Sequence, residues 1–316
     1  MLTDASLFDR QGAPTVVAIG KFDGVHRGHQ ALLDRARSRG GALSALPVVL
    51  TFHPHPAVVF GRPAPPLLTS VERRRTLVRE HAPGTELIAQ RFDAAYASMS
   101  PRDFAERVLR DTLGAKAVIV GENFRFGKGR SGDFSTLCAL GGDLGFEVSA
   151  EPLLGDARGR YSSTRVRRAL ADGDLSDATT VLGRSYELEG VVVEGRRQGR
   201  TLGFPTANLG EIETELPKYG VYAVRVSEVS EPGGAGRVVG VGVMNVGERP
   251  TVGAGLSAEV HILDGSRDVY GARLRVALVA RLRDERAFAG LEPLVAQIKA
   301  DVMAARRIFE TELARP

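Results

Sequence analysis

Cysteine is nearly absent from this chain of 316 residues: Cys138 stands alone. A single thiol excludes an internal disulfide framework and any metal site built on several cysteines. It suits a reducing cytoplasm, where the protein is expected to work. Long apolar runs are also missing. None approaches the ~18 residues of a membrane span, so no membrane partner is expected. The opening "MLTDASLFDRQGAPTVV" lacks a basic patch ahead of an apolar core, so no signal peptide is expected. Lysine is scarce, and the net charge is only +4. That balance does not make a polybasic nucleic-acid binder. Most of the positive charge is arginine, whose fork suits phosphate, although its abundance beside Ala, Gly and Val reads for most positions as base composition. There is no internal repeat and no low-complexity tract. At 43% hydrophobic and 25% charged residues, what remains is an ordinary soluble globular protein, long enough for two domains.

The first half alternates strand-like and helix-like runs. "TVVAIG" (15–20), "LPVVLTF" (46–52), "TELIAQ", "AKAVIVG" (115–121) and "GFEVSAE" (145–151) predict five strands. Between them, "HQALLDRARSRG" predicts a helix ending at Gly40. "TSVERRRTLVREHA" predicts one capped by Thr69 or Ser70. "SPRDFAERVLRDTLG" has Ser100 as cap, Pro101 at the first helical position and Gly114 as stop. The fold class expected is α/β, with a doubly wound parallel sheet. The second half gives strands in succession, "YELEGVVVEG", "GVYAVRVSEV", "GRVVGVGVMNVG", "SAEVHILD" and "ARLRVALVARLRD". They predict a small antiparallel β-barrel or sandwich. Residues 290–313 follow helical spacing through Leu291, Leu294, Val295, Ile298, Val302, Ile308 and Phe309, a terminal helix with an apolar face. The boundary is expected at about Leu182–Ser185, giving domains 1–183 and 184–316.

Two histidines, His26 and His29, lie in "GKFDGVHRGHQ", between the first strand and the first helix. Ligands sit beyond the carboxyl ends of such strands. A helix N-terminus there offers free N–H groups and partial positive charge, which suits phosphate. Gly20 and Gly28 allow close backbone approach. Half of a metal site, with Asp23 nearby, and solvated loop histidines remain open alternatives. "TFHPHP" (51–56), "GENFRFGKGRSGD" (121–133) and "RYSSTRVRRAL" (160–170) fall at the same sheet edge. The last begins a helix with Ser162, Ser163 and Thr164, and carries Arg160, Arg165, Arg167 and Arg168, most of them expected to be solvated. Taken singly, each stretch is a turn or a cap; their convergence is harder to explain that way.

In the second half "GRRQGRTLGFPTANL" (195–209) repeats glycine at Gly195, Gly199 and Gly203. A glycine-rich segment between strands can wrap phosphates with backbone amides. Thr206 and Asn208 then present oxygens on one face of an extended segment, and oxygen is what Mg²⁺ prefers. A barrel loop with an Asn turn is the plainer alternative. Glu259, judged alone, is a solvated strand residue.

Together the first set resembles the adenylyltransferase module of the bifunctional bacterial FAD synthetase family. "GKFDGVHRGHQ" is similar to its G-x-F-D-G-x-H-x-G-H signature, "SSTRVR" to S-S-T-x-I-R, and "GENFRFG" to the loop between them. "GFPTAN", "LPKYGVYAV", "NVGERPTVG" and "EVHILD" resemble riboflavin kinase in order and spacing. The resemblance covers nearly the whole chain. It implies that riboflavin is phosphorylated to FMN by one ATP, and that FMN is adenylylated to FAD by a second, releasing pyrophosphate. It implies ATP contacts at Gly20, Phe22, His26, His29, Ser163, Thr164 and Arg167, and in the second module at Gly195, Gly199, Gly203 and Thr206. His26 and His29 would stabilise the first transition state, and Glu259 would be the general base of the second reaction. Flavin contacts are implied at His55, Asn123, Arg160 and Arg283, and Mg²⁺ at Thr206 and Asn208. Val252 and Gly265 depart from the family pattern, where aromatic or apolar residues are usual. A monomer or weak homo-oligomer is expected. The competing readings are an adenylyltransferase for another phosphorylated acceptor and a non-enzymatic nucleotide- or flavin-binding regulator.

Overall fold

A computed structural model describes residues 4–194, 203–248, 256–263 and 269–313. Gly195, Gly199, Val252 and Gly265 lie outside the described residues. The chain divides into two compact units, residues 1–163 and 164–316.

The first unit is built on five parallel strands, β1 (Thr15–Ile19), β2 (Leu46–His53), β3 (Glu86–Arg91), β4 (Ala115–Gly121) and β5 (Glu147–Glu151), in the order β3-β2-β1-β4-β5. The central strands are apolar throughout because both faces are covered. Val17, Ile19, Val48, Leu50, Val118 and Val120 pack on one side, and Val16, Ala18, Val49 and Ile119 on the other. Helix α1 (Arg27–Leu43) runs past Gly40, where the sequence predicts its end. Gly40 is buried, and a Cβ there would come within 2.8 Å of the Ala45 carbonyl. The glycine therefore serves a close chain return, and the helix stops at Ser44 in the left-handed region. Helix α2 (Val71–His81) is capped by Ser70, whose hydroxyl accepts from the Arg73 amide. Ser100 and Pro101 start the next helix as expected, but after one α-turn it winds as a π-helix over Phe104–Thr112. A further helix, α3 (Phe134–Leu144), has no counterpart in the sequence reading. Gly141 and Gly142 lower its intrinsic propensity, and Gly141 is needed where the Phe146 carbonyl lies 2.6 Å from a Cβ position.

The second unit opens on α4 (Ser163–Asp172, from Thr164 onward) and α5 (Leu175–Leu182). Six strands then close an antiparallel barrel: β6 (Tyr186–Val193), β7 (Ala207–Gly210), β8 (Gly220–Val229), β9 (Gly236–Glu248), β10 (Leu256–Ile262) and β11 (Arg273–Arg283). Their order round the barrel is β8-β9-β10-β7-β6-β11. Strand β7 is short and was not among the expected strands. Alternation fills the interior with Leu188, Tyr222, Val224, Met244, Val260 and Val276. Helix α6 (Leu291–Leu313) lays Val302, Ala305, Ile308 and Phe309 on the outer face, against Ala223, Val241 and Val243. Leu291, expected on that face, is instead 64% exposed in the first turn. The compact division falls after Ser163, earlier than the expected 183/184 boundary, because α4 and α5 are tied into the second unit. Arg165 and Asp177 form a buried ion pair at 2.6 Å, and the Lys218 amide donates to the Leu170 carbonyl at 2.8 Å. Arg165 is thus a structural residue rather than a solvated one.

Two candidate active sites

The turn between β1 and α1 is held in an uncommon backbone shape. Phe22, Gly24 and Val25 all have positive φ, +51°, +84° and +42°. For Phe and β-branched Val that conformation is costly and persists only where the surroundings enforce it. Asp23 provides the enforcement. Its buried carboxylate accepts from the Leu68 amide at 3.0 Å, the Thr69 amide at 3.1 Å and the Arg74 guanidinium at 3.2 Å. Arg74 also donates to the Lys21 carbonyl at 2.8 Å, and the Gly24 amide donates to the Thr69 hydroxyl. Asp23 therefore anchors the turn from within. The open reading of Asp23 as part of a metal site finds no support: among the described residues no group of three His, Cys, Asp or Glu could hold an ion. Sequence reasoning missed Arg74 and Thr69, because nothing local links α2 to this turn.

His26 is the N-cap of α1, and its Nδ1 accepts from the His29 amide at 3.3 Å. The His26 and His29 rings stack with centroids 3.6 Å apart, and Phe22, fully buried, stacks beneath His29 at 4.8 Å. Gly20 and Gly28 make room for this column. A Cβ at Gly20 would meet the Phe22 ring at 3.1 Å, and one at Gly28 the His26 ring at 3.2 Å. Burial, then His26, then Arg74 hold the His29 pKa well below its ordinary value of 6.5. His29 is therefore neutral at physiological pH, and its buried Nδ1 has no partner among the described residues. The helix leaves the amides of Arg27 and Gly28 without intrahelical acceptors.

Tyr161 and Ser163, at the end of the first unit, arrive at the same place. Ser163 donates its hydroxyl to the Asp23 carbonyl at 2.8 Å, and the Tyr161 carbonyl lies 3.4 Å from the Cβ position of Gly28. Thr164 is exposed and Arg167 half-buried on the first turns of α4. His55 caps the short helix Pro56–Val59, its Nδ1 accepting from the Ala57 amide. Asn123 is exposed in the turn after β4, and Arg160 is exposed in a two-stranded hairpin with Gly155 and Asp156.

In the barrel, Glu259 alternates with the buried Ala258 and Val260, so it faces outward. It stands opposite Asn208 on one neighbouring strand and Asn245 on the other. Cross-strand partners on one face lie ~5 Å apart at Cβ. Glu259 accepts from Ser257 at 3.0 Å and from Thr206 at 3.4 Å. One carboxylate, two hydroxyls and two carboxamides are thereby gathered on one patch. Asn245 and Ser257 were missed; alternation at the register position of Glu259 would have found them. The exposed Gly203, at φ +83°, ends the glycine-rich stretch. Arg283 is held by Asp301 of α6 at 2.8 Å and lies 5.8 Å from the Phe288 ring. Hard oxygen donors at Thr206 and Asn208 fit Mg²⁺, most of whose ligands would then be phosphates and water.

These two arrangements define the class. One unit is a nucleotidyltransferase-like α/β domain with a histidine turn at a helix N-terminus, and the other is a flavokinase-type barrel. The FAD synthetase family model matches residues 9–165, and the riboflavin kinase family model residues 182–309. The bifunctional riboflavin kinase/FMN adenylyltransferase of Escherichia coli (strain K12) is 40% identical over 297 residues, 93% of this chain and 92% of that protein. That of Bacillus subtilis (strain 168) is 35% identical over 312 residues, 96% of this chain and 95% of that protein. The chain belongs to the bifunctional riboflavin kinase/FMN adenylyltransferase family, and both catalytic domains are present. A solved structure described as a macrolide-efflux protein from Streptococcus pneumoniae is similar at a TM-score of 0.84 and 29% identity, over 97% of this chain and 99% of that one. No described helix here is long and apolar enough to cross a membrane.

Proposed function

We propose that the barrel phosphorylates riboflavin to FMN and that the α/β domain adenylylates FMN to FAD, each with one ATP. The observation that carries this reading is the meeting of distant motif halves in both units: Ser163 on the Asp23 carbonyl, and Thr206 on Glu259. We keep the functional limits at 1–183 and 184–316, with α4 and α5 as connector.

In the α/β domain an FMN phosphate oxygen attacks the α-phosphorus of ATP, and pyrophosphate leaves. The Arg27 and Gly28 amides and the His26 and His29 rings bind phosphate and stabilise charge as it builds. A neutral His29 avoids a buried charge beside Arg74 in the free enzyme, and an arriving triphosphate favours its charged form. Ser163, Thr164 and Arg167 grip the triphosphate from the start of α4. Gly20 and Phe22 support the stack that meets ATP, while His55, Asn123 and Arg160 meet the flavin. No covalent nucleophile is required, because positioning and charge stabilisation suffice.

In the barrel, Glu259 takes the proton from the ribityl 5′-hydroxyl as that oxygen attacks the γ-phosphorus of ATP; the bond from the γ-phosphorus to its bridging oxygen breaks and ADP leaves. Thr206 and Asn208 would hold Mg²⁺, with Gly203 beside the ATP phosphates. Once bound, Mg²⁺ would supply charge neutralisation on those phosphates. Arg283 borders the flavin beside Phe288. The protein acts in the cytoplasm as a monomer or weak homo-oligomer, without nucleic acid. An adenylyltransferase for another acceptor would have no use for the barrel.

The test is purified protein with riboflavin, ATP and Mg²⁺, its products separated by chromatography. FMN should appear first and FAD after it. Riboflavin left unconverted would refute the kinase reading, and FMN accumulating without FAD would refute the adenylyltransferase reading.

A further inference from the structure

The segment that carries Thr206 is only partly held by the sheet. Backbone pairing between β7 and β10 comprises Asn208 with Glu259 and Ala207 with Val260. Beyond Ala207 the ladder ends, so Pro205 and Thr206 lie outside strand pairing. Proline lacks an N–H and cannot extend the ladder through its own amide. Side chains from β10 take over instead. Thr206 reaches Glu259, and the His261 ring meets the Pro205 carbonyl through Nδ1 at 2.9 Å. A carbonyl only accepts, so Nδ1 carries the proton. The Phe204 ring stands edge-to-face against His261, centroids 5.5 Å apart and planes at 81°. His261 and Glu259 are two residues apart on one strand, hence on the same face. One strand therefore presents both the proposed base and a clamp on the residue just before Thr206.

We propose that His261 is a positioning residue of the kinase site: its Nδ1–H holds the Pro205 carbonyl and so fixes Thr206 against Glu259. It touches neither ATP nor riboflavin, and it moves no proton. Both the Nδ1–H tautomer and the imidazolium donate from Nδ1, so the clamp does not depend on the charge of the ring. The inference rests on the kinase reading of Glu259 and Thr206. It goes beyond that reading by assigning a distinct task to a residue that the reaction itself does not use.

Three variants of the full chain test it: His261→Asn, His261→Gln and His261→Ala. The Asn carboxamide nitrogen sits at the Nδ1 position and can donate to Pro205, whereas the Gln nitrogen reaches the Nε2 position. A misplaced group of this kind costs up to ~100-fold in rate, and a loss of about tenfold in kcat/KM for ATP is expected for the Ala and Gln variants. KM for riboflavin should stay constant, and His261→Asn should recover to within about threefold of the parent, since the donor is kept. FAD formation from supplied FMN, which uses the other unit, should be unchanged in all three. Equal activity of the Asn and Gln variants, or full activity of His261→Ala, would overturn the clamp. So would a loss that raises both KM values alike and tracks a fall in Tm. A parent protein that makes no FMN would instead overturn the kinase reading, and the clamp with it.

Discussion

The two units handle the same co-substrate with opposite constructions. In the α/β unit the turn from Phe22 to His26 is buried and prestressed. Positive-φ residues at Phe22 and Val25 are locked by a charged pair, Asp23 and Arg74, whose side chains are 9% and 4% exposed. In the barrel the site rests on an outer face, and its residues are placed by strand register. Glu259 stands between Asn208 and Asn245 with no strained backbone required of it. The first site depends on tertiary anchors far away in sequence, whereas the second depends on pairing that alternation alone dictates. Damage should therefore spread through the first unit and stay local in the second.

The largest effect follows from the anchor. Arg74→Met strands the Asp23 carboxylate without its buried cation, a loss of ~3–5 kcal/mol in systems where such pairs are broken from one side. FAD formation from FMN should vanish and the thermal transition of the α/β unit should fall, while FMN formation continues. Next comes the proposed base. Glu259→Gln keeps size and register but removes proton acceptance, so FMN formation should drop by ~10²–10⁴-fold, with no change in Tm. A Tm fall as large as that of Arg74→Met would erase the contrast between the units. His29→Phe preserves the stack on Phe22 and His26 but removes the donor. Adenylyl transfer should fall by ~10²–10³-fold, and stability should change less than in Arg74→Met.

The smallest effect is a pH dependence. The folded-state pKa of His29 lies below 6.5 because of burial, His26 and Arg74. The unfolded chain then binds the proton first as pH falls, so stability is full above pH 6.5 and declines below it, toward the depressed folded value. Unfolding by denaturant at pH 7.5 and 5.5 should show this loss in the parent. It should be reduced in His29→Phe.

Legibility followed the same contrast. The five parallel strands, the barrel and the terminal helix were readable because continuous apolar runs and period-2 and period-3.6 patterns are local. The histidine turn at the start of the first helix was readable, but its anchor was not. The bonds from Asp23 to Leu68, Thr69 and Arg74 span about fifty residues, and no spacing rule links them. Gly40 and Gly141 misled the helix assignments for a related reason. Each sits inside a helix to admit a neighbouring carbonyl, a tertiary demand that resembles a local stop. Strand β7 escaped because four residues after a proline carry little alternation. Its register nevertheless sets Asn208 opposite Glu259, and the Thr206 hydroxyl, just outside the strand, reaches the same carboxylate.

The central claim is that two separable sites act in series through free FMN. It is tested by mixing Glu259→Gln with His29→Phe in one reaction containing riboflavin, ATP and Mg²⁺. Each variant alone should fail to make FAD from riboflavin, the first for want of FMN and the second while accumulating it. Together they should form FAD, as FMN made by one is adenylylated by the other. A mixture that makes no FAD, or a single variant that loses both reactions, would contradict the account.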